Sequence, residues 1–297
     1  MQPAPSTHES VTPTVLSLGQ WQPLALTHYE RVDQLTEEAR ARKVSGIRHP
    51  IEDFLWEYYS LRPNHLRRWH PGWNVAIEDA TEYESLRGYT MSGTTASVSP
   101  EFVERRRESL MWMLQLMDNV SGREPKFGCF GLHEWAMVYQ LDQSEVRHES
   151  APLRLSTQEI AEVVEAAQLK CTHYDAFRFY VPKARTLNHM VLERTDQLSN
   201  EQGGCLHANM DLYKWAYKAS PIVSSELTLR CFELAREIRT LDMQAAPYDL
   251  TQWNLEPMKI ETTEGRAEYV KRQREFAAKA QSLRKELGLQ LRTALFN

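Results

Sequence analysis

The segment TEGRAEYVKRQREFAAKAQSLRKELGLQLRT, residues 263–293, carries one helical pattern from end to end without a proline. Its apolar residues recur at intervals of three and four, which places them on one face of an α-helix. This buried stripe is predicted to comprise Phe276, Ala280, Leu283, Leu287 and Leu291. The remaining surface is mostly Lys, Arg, Glu and Gln, which indicates solvent exposure. The segment therefore predicts a long helix that packs along one side against a core.

Similar patterns precede this segment along the chain. Ser99-Pro100-Glu101 is typical of a helix start, with proline at the first helical position and an acid in the first turn. Helices are predicted over residues 27–43, 50–60, 99–117, 156–167, 206–219 and 224–243. The chain is therefore expected to be mostly helical.

Residues 152–181 predict a small β-α-β unit. Residues 152–155 form its first strand, and Ser156 with Glu159 three positions later fits a capping box at the start of its helix. In residues 169–181, apolar and polar side chains alternate near the C-terminal end, which is typical of a strand. We therefore expect a small sheet in this region.

These patterns predict an α+β fold, predominantly α-helical, in a single domain with a small β-sheet. Residues 75–100 contain short runs of Gly, Ser and Thr that fit weak strands or an irregular loop. Residues 1–20 are expected to be a flexible segment, because they begin with a run rich in Pro, Ser and Thr that has no signal-peptide core. Residues 21–297 are predicted to form one α-rich globular domain.

The composition narrows the function classes. Charged residues make up 25% and hydrophobic residues 42% of 297 residues, as in globular proteins. The net charge of −5 disfavours extensive contact with DNA, because DNA-binding proteins usually present a basic surface. No apolar run approaches the roughly 18 residues that span a membrane, so no membrane partner is expected. Four cysteines in a chain of this length do not suggest a secreted disulfide scaffold, and a cytoplasmic location is expected.

Three of the four cysteines have a histidine close by in the sequence. The pairs are Cys129 with His133, Cys171 with His173, and Cys205 with His207. Thiolate and imidazole both bind zinc and iron, so the three histidines are candidate metal ligands and Zn or Fe is a candidate cofactor. The alternative is packing, because free cysteine behaves as a small buried hydrophobe and no pair has the spacing of a structural zinc site.

Two of these histidines also have a carboxylate near them. His173 and Asp175 share a face if the predicted strand forms, since side chains repeat every two residues. His207 and Asp211 share a face one turn apart if the predicted helix forms. A histidine held by a carboxylate can serve as a general base or as a metal ligand. We expect the two polar faces to meet in one pocket.

Cys129 and Cys231 also allow other interpretations. Cys129 lies between two glycines in Phe127-Gly-Cys-Phe-Gly131, just before a predicted helix. This arrangement fits a nucleophilic cysteine with His133 as its base, and it equally fits a tight bend with close packing. Cys231 lies on the apolar face of its helix and is predicted to be core.

Several long strings carry a family resemblance. They are HPIEDFLWEYYSLRPNHLRRWHPG from His49, FGCFGLHEWAMVY from Phe127, CTHYDAFRFYVPKARTLN from Cys171 and GCLHANMDLYKWAYKASP from Gly204. With CFELAREIRTLDMQAAPYDL and EGRAEYVKRQREFA, they extend over roughly residues 45–290. The chain resembles a bacterial family, mainly actinobacterial, that is usually labelled 3-methyladenine DNA glycosylase. The resemblance implies a hydrolase acting on a damaged nucleobase, and it assigns no role to a particular residue.

Base excision requires aromatic rings that stack on a flipped base and a carboxylate that activates water. The candidate catalytic residues are Asp211, Asp175, Glu134 and His173. The candidate substrate-binding residues are Tyr174, Trp215, Lys214, Arg178 and Trp135. The candidate metal ligands are His133, His173 and His207.

Three functions remain open on these residues. The first is an N-glycosylase-like hydrolase acting on a damaged nucleobase, with DNA as a partner despite the acidic charge. The second is a Zn- or Fe-dependent enzyme that acts on a small molecule in a pocket of His, Asp and aromatic residues. The third is a non-enzymatic module that binds a small ligand.

Overall fold

The computed structural model describes residues 13–146 and 151–297. It is predominantly helical with one four-stranded sheet, which confirms the predicted α+β class. The α-helices are α1 (Leu18–Ser45), α2 (Phe54–Tyr58), α3 (Pro63–Arg67), α4 (Pro100–Arg105), α5 (Arg107–Gly122), α6 (Leu132–Met137), α7 (Thr157–Ala166), α8 (Tyr174–Phe177), α9 (Pro182–Arg185), α10 (Gln197–Asn200), α11 (Leu206–Ala219), α12 (Ser225–Gln244) and α13 (Thr263–Phe296). Short 3-10 helices lie at Thr81–Tyr83, Gln143–Glu145, Arg194–Asp196 and Thr251–Trp253.

The C-terminal segment forms the single long helix α13, as its pattern predicts. Thr262 caps the N-terminus, where its hydroxyl oxygen accepts a hydrogen bond from the N–H of Gly265 at 3.0 Å. The helix packs against α5, α11 and α12. Its predicted stripe is buried, and comprises Phe276, Ala280, Leu283, Leu287 and Leu291. Burying each leucine or phenylalanine contributes about 1.5–3 kcal/mol, so packing rather than local propensity holds this helix.

Helix α11 packs against α12 and α13 and carries polar side chains into the core. Asn209, Asp211 and Lys214 are all buried on this helix. Buried polar groups are costly unless they are paired, and buried charges more so. The centre of the fold therefore contains a polar network that must be satisfied from neighbouring elements.

The sheet lies towards the N-terminal part of the chain. Its strands are β1 (Thr14–Leu16), β2 (Val75–Ile77), β3 (Tyr89–Ser92) and β4 (Thr95–Val98), in the order β1-β2-β4-β3. The β1–β2 pair is parallel and the other two pairs are antiparallel. Gly93, with φ of 61°, occupies the tight turn between β3 and β4. These strands confirm the expectation of weak strands in residues 75–100.

The β-α-β unit predicted over residues 152–181 is wrong, although its helix is correct. Helix α7 has Ser156 as its N-cap, as predicted, but residue Leu153 makes only an isolated bridge to Tyr248. The second predicted strand is instead irregular up to the short helix α8, and a turn follows that helix. Phe177 and Tyr180 are both buried at a spacing of three, which is a helical and not a strand spacing. The aromatic alternation reflected the β propensity of these residues, and tertiary packing overrode it.

The N-terminal boundary also differs from the prediction. Within the predicted flexible segment, residues 14–16 form β1 and α1 begins at Leu18; residues 1–12 lie outside the described part of the chain. Trp21 explains the early start, because its ring stacks on Trp69 with centroids 6.1 Å apart. Its indole N–H also donates to the carbonyl of Glu78 at 2.9 Å. These contacts anchor the first turns of α1 to the sheet.

Two other predicted helices differ in extent. The helix predicted over residues 50–60 is shortened to α2, and the one predicted over residues 99–117 is divided at Arg106 into α4 and α5. Among the helices of residues 13–146 and 151–297, none is both long enough and apolar enough to cross a bilayer.

Candidate functional site

Three histidines meet at the centre of the fold, as the predicted convergence of polar faces requires. His133 comes from α6, His207 from the first turn of α11, and His173 from the residue just before α8. The ring centroids of His133 and His207 are 4.1 Å apart and nearly perpendicular. The rings of His173 and His207 are stacked with centroids 5.5 Å apart. His207 therefore lies between the other two imidazoles.

One end of this histidine row is bounded by carboxylates. The Nε2 atom of His133 lies 3.5 Å from both Asp242 Oδ2 and Glu134 Oε1, and His207 Nε2 lies 4.0 Å from Asp242 Oδ2. Arg239 Nη1 donates to Asp242 Oδ2 and to Glu134 Oε1, each at 3.0 Å. The guanidinium thus fixes the two carboxylates that face the imidazoles.

The electrostatic surroundings give the two adjacent imidazoles, those of His133 and His207, different protonation states. Burial opposes the charged form of His133, but the Asp242 and Glu134 carboxylates outweigh it and raise its pKa to about 9. Burial lowers the pKa of His207 to about 3, and the neighbouring His133 adds to this effect. At neutral pH one imidazole is therefore a cation and the other is a neutral ring with a free nitrogen lone pair.

The other end of the row is a second acidic cluster. His173 Nδ1 lies 2.9 Å from Glu201 Oε1, and His173 Nε2 lies 3.7 Å from Asp211 Oδ2. Tyr59 donates its hydroxyl to Asp211 Oδ1 at 2.7 Å. The carboxylates raise the pKa of His173 despite its complete burial. The carboxylates thus favour the protonated form of His173, in the same direction as for His133.

Lys214 occupies the space between the two aspartates of this second cluster. Its ammonium donates to Asp211 and lies 3.3 Å from Asp175 Oδ2. Burial opposes its charge, but the two aspartates outweigh burial and raise the pKa of Lys214. The pKa of Asp211 is lowered because Lys214 and His173 outweigh its burial. Lys214 therefore stays a cation at this position.

Two groups of three side chains bring their ligand atoms within 4.8 Å of one another. One comprises His133, His207 and Asp242, and the other His173, Asp175 and Asp211. Two imidazoles and one carboxylate are a donor set that suits zinc or iron. The second group has a single imidazole, and the ammonium of Lys214 already contacts both of its carboxylates. The first group is therefore the better candidate metal centre.

A wide cavity of about 680 Å³ reaches this first group from outside, and we call it the outer cavity. Its wall includes Phe54 and Tyr58, whose rings stack with centroids 4.9 Å apart, and Phe179, 6.2 Å from Tyr58. His133 and His207 also line it. The volume falls within the range of small-molecule sites, so the imidazoles lie at a place that a ligand can reach.

A second, smaller cavity has a volume of about 190 Å³, and we call it the inner cavity. His133 and His207 line this cavity as well. Three cysteines also face it, namely Cys129, Cys171 and Cys205. The recurrence of Cys and His along the sequence thus corresponds to thiols and imidazoles that line the same cavity.

The predicted site residues fall into two sets. Glu134, Asp175, Asp211 and Lys214 join the three histidines in the central network. The predicted ligand set of three histidines is divided, because His173 lies with Asp175 and Asp211 in the other group.

The predicted substrate-binding residues largely lie elsewhere. The indole N–H of Trp135 donates to the carbonyl of Ala245 at 2.8 Å within the core. Trp215 packs on Trp112 with centroids 5.2 Å apart. Tyr174 and Arg178 line a separate cavity of about 300 Å³, although Arg178 Nε also lies 3.2 Å from Asp175 Oδ1. Helical and loop packing, rather than sequence proximity to the histidines, decides which rings reach the outer cavity.

The sequence interpretation missed Asp242 and Arg239 on α12. Both are almost completely buried, at 1% and 2% exposed. They follow Phe232 and Ala235 at spacings of three and four, so they occupy the apolar face of the helix. Charged residues at core positions are a signal that could have identified them.

Comparison with models of protein families, with curated proteins and with solved structures finds no match to this chain.

Proposed function

We propose that this protein is a metal-dependent enzyme acting on a small molecule in the outer cavity, with His133, His207 and Asp242 as the metal ligands. The observation that carries the proposal is the meeting of these three side chains, from α6, α11 and α12, with His133 and His207 also lining the outer cavity. Two imidazoles and one carboxylate leave coordination positions open for water or substrate. The bound ion would be zinc or iron and would supply Lewis acidity or activated oxygen chemistry.

The distances support this donor set. Ligand atoms bound at about 2.0–2.1 Å around one ion lie roughly 3.3 Å apart. The separations of 3.5 and 4.0 Å from Asp242 Oδ2 to the two imidazole nitrogens require small movements only. Because His133 carries a proton in the absence of an ion, binding must displace that proton, and affinity should rise with pH.

The surroundings also support a metal centre. Metal ligands are usually oriented by further hydrogen bonds, and Asp242 is held by Arg239 at 3.0 Å. The Oδ1 atom of Asp242 is buried and has no hydrogen-bond partner among the described residues. An acceptor left in this state is expensive, and an ion held by both oxygens of the Asp242 carboxylate would satisfy it.

The outer cavity indicates the kind of substrate. Phe54, Tyr58 and Phe179 give part of the cavity wall an aromatic, largely apolar surface. Arg48 and Asp175 line the same cavity and provide polar contacts of both signs. We expect a small molecule with a flat, largely apolar part and polar substituents.

Metal analysis of tag-free protein tests the proposal. We expect about one equivalent of Zn or Fe per chain after reconstitution, and affinity at least 10-fold lower in Asp242→Asn and His207→Gln. The matched controls, Asp118→Asn and His65→Gln, alter exposed residues and should leave affinity unchanged. Absence of bound metal in the wild-type protein, with no rise in Tm when metal is added, would contradict the proposal. This outcome does not depend on whether any variant folds.

A nucleobase N-glycosylase-like hydrolase is the second candidate, and the position of Asp175 favours it. Its side chain is 29% exposed and lines the outer cavity beside Tyr58 and Phe179. A reachable carboxylate next to ring faces is what base hydrolysis requires. Asp211, in contrast, is buried and held by Tyr59 and Lys214, so Asp175 is the better candidate for activating water.

Release of methylated bases from DNA, measured with and without a chelator, separates the two candidates. Release that survives chelation and is lost in Asp175→Asn supports the glycosylase. Failure to release any base from either DNA or nucleosides excludes it.

A further inference from the structure

Three of the four cysteines converge on the inner cavity from three separate loops. Cys129 precedes α6, Cys171 precedes α8 and Cys205 is the N-cap residue of α11. The fourth, Cys231, lies in α12 and is packed in the apolar core. If these thiols only filled space in the core, they would have no reason to line the same cavity, because they are far apart in sequence. A ligand that all three bind would require them to do so.

The cavity also presents a buried polar atom without a hydrogen-bond partner among the described residues. Tyr269 is completely buried and lines the inner cavity, and its hydroxyl has no hydrogen-bond partner within the described part of the chain. Gly131 keeps the approach open, because a Cβ atom there would lie 3.1 Å from this hydroxyl. Buried hydroxyls are normally paired, so this one indicates a ligand in the cavity.

A second polar contact lies beside Cys129. Gln273 is fully buried and its Nε2 atom lies 3.4 Å from Cys129 Sγ, while its Oε1 atom lacks a partner among the described residues. N–H groups that point at cysteine sulfur stabilise thiolate bound to metal. The environment of Cys129 therefore suits a ligated sulfur.

Size and spacing indicate the kind of ligand. The cavity volume of about 190 Å³ greatly exceeds the roughly 10–15 Å³ that one water needs. The three sulfur atoms of these described cysteines do not all lie within 4.8 Å of one another. Sulfurs around a single ion lie close together, whereas a cluster of several irons holds them further apart.

We propose that Cys129, Cys171 and Cys205 hold an iron–sulfur cluster in the inner cavity, with one iron left for a ligand other than cysteine. Each sulfur–iron bond forms as the thiol releases its proton to solvent. Lys126 and Lys170 line the same cavity and offset the negative charge of the bound cluster. His133 and His207 line both the inner and the outer cavity, but the proposal does not depend on the metal site proposed in the outer one.

Burial disfavours the thiolate form of all three cysteines. It raises the pKa of Cys171 to about 12 and raises the pKa of Cys129 and Cys205 as well. The thiols therefore stay protonated at neutral pH until a metal replaces the proton.

The test uses the full chain, purified without oxygen and reconstituted with ferric and ferrous iron and sulfide. We expect stoichiometric iron and acid-labile sulfide, broad visible absorption, and an EPR signal after reduction. Cys171→Ser and Cys205→Ser should lose most of the iron and sulfide. Cys231→Ser is the matched control, because it alters a buried thiol outside the cavity, and it should retain them.

The wild-type measurement decides the outcome even if a cavity variant fails to fold. Iron without labile sulfide, zinc or copper in place of iron, or no metal at all would overturn the proposal. Equal loss of the cluster in Cys231→Ser and Cys171→Ser would also overturn it. Asp242→Asn removes a ligand of the proposed outer metal site but does not line the inner cavity, so it should keep the labile sulfide. Failure of the metal-dependent function can therefore be distinguished from failure of the cluster proposal.

Discussion

Lys214 illustrates how single residues decide the chemistry of this core. It lies one turn from Asp211 on α11, and both side chains are buried. Its ammonium is also 4.3 Å from the ring centroid of Trp215. Burying this ion pair is costly, and the remaining contacts to Asp175 and Tyr59 offset part of that cost. Removing one member should therefore be worse than removing both.

We expect Lys214→Met to destabilise the protein by about 3–5 kcal/mol, because it leaves Asp211 charged and without its cation. The free energy of unfolding from urea titration measures the effect. Lys218→Met is the control, since Lys218 lies one turn later on the same helix and is exposed; its change should stay within about 0.5 kcal/mol. Equal stability of the two variants would show that the buried pair contributes nothing.

At the scale of elements, local signals predicted helices better than strands. Helix α7 begins at Ser156, whose hydroxyl accepts from the N–H of Glu159 at 3.3 Å, while the Glu159 carboxylate accepts from the N–H of Ser156 at 2.8 Å. This reciprocal cap involves residues three apart, so it is visible in the sequence. The strand predicted nearby had no such local determinant and depended on a partner strand that the fold does not supply.

Ser156→Ala should lower the free energy of unfolding by about 1 kcal/mol, because it removes the cap of α7. Thermal or urea denaturation measures the loss. Gln158→Ala alters an exposed residue in the same first turn and should change stability by less than about 0.5 kcal/mol. A neutral Ser156→Ala variant would mean that packing of Ile160 and Val164, not the cap, holds the helix.

For the molecule as a whole, α13 joins elements that are far apart in sequence. It packs against α5, α11 and α12, and thereby covers the helices that carry the polar network. Arg284 of α13 is buried and donates to Asn209 Oδ1 of α11. The C-terminal helix thus contributes to both the apolar core and the setting of the site.

Leu287→Ala should cost about 2–5 kcal/mol, because Leu287 is fully buried and its loss leaves a cavity between helices. Leu289→Ala, two residues away and 62% exposed, is the matched control and should be nearly neutral. The midpoint and slope of urea denaturation provide the comparison. Similar losses in the two variants would contradict the placement of the stripe against the core.

The site was only partly predictable. The proximity of His207 and Asp211 follows from helical spacing, and the structure confirms that both lie in the central network. Asp242 and Arg239 approach them from α12. No local sequence pattern predicts that side chains on different helices will lie close together. The rings of Phe54 and Tyr58 reach the outer cavity for the same reason.

The sequence by itself determined the helical class, the buried face of α13 and the cap of α7, because each depends on side chains within a turn or two of one another. Only the tertiary structure decided the location of the sheet, the division of the histidines between two acidic clusters, and the meeting of three cysteines in one cavity. Those features depend on distances between elements separated by tens of residues. Such distances are set by packing of the whole core, and they produce no periodic pattern in the amino-acid sequence.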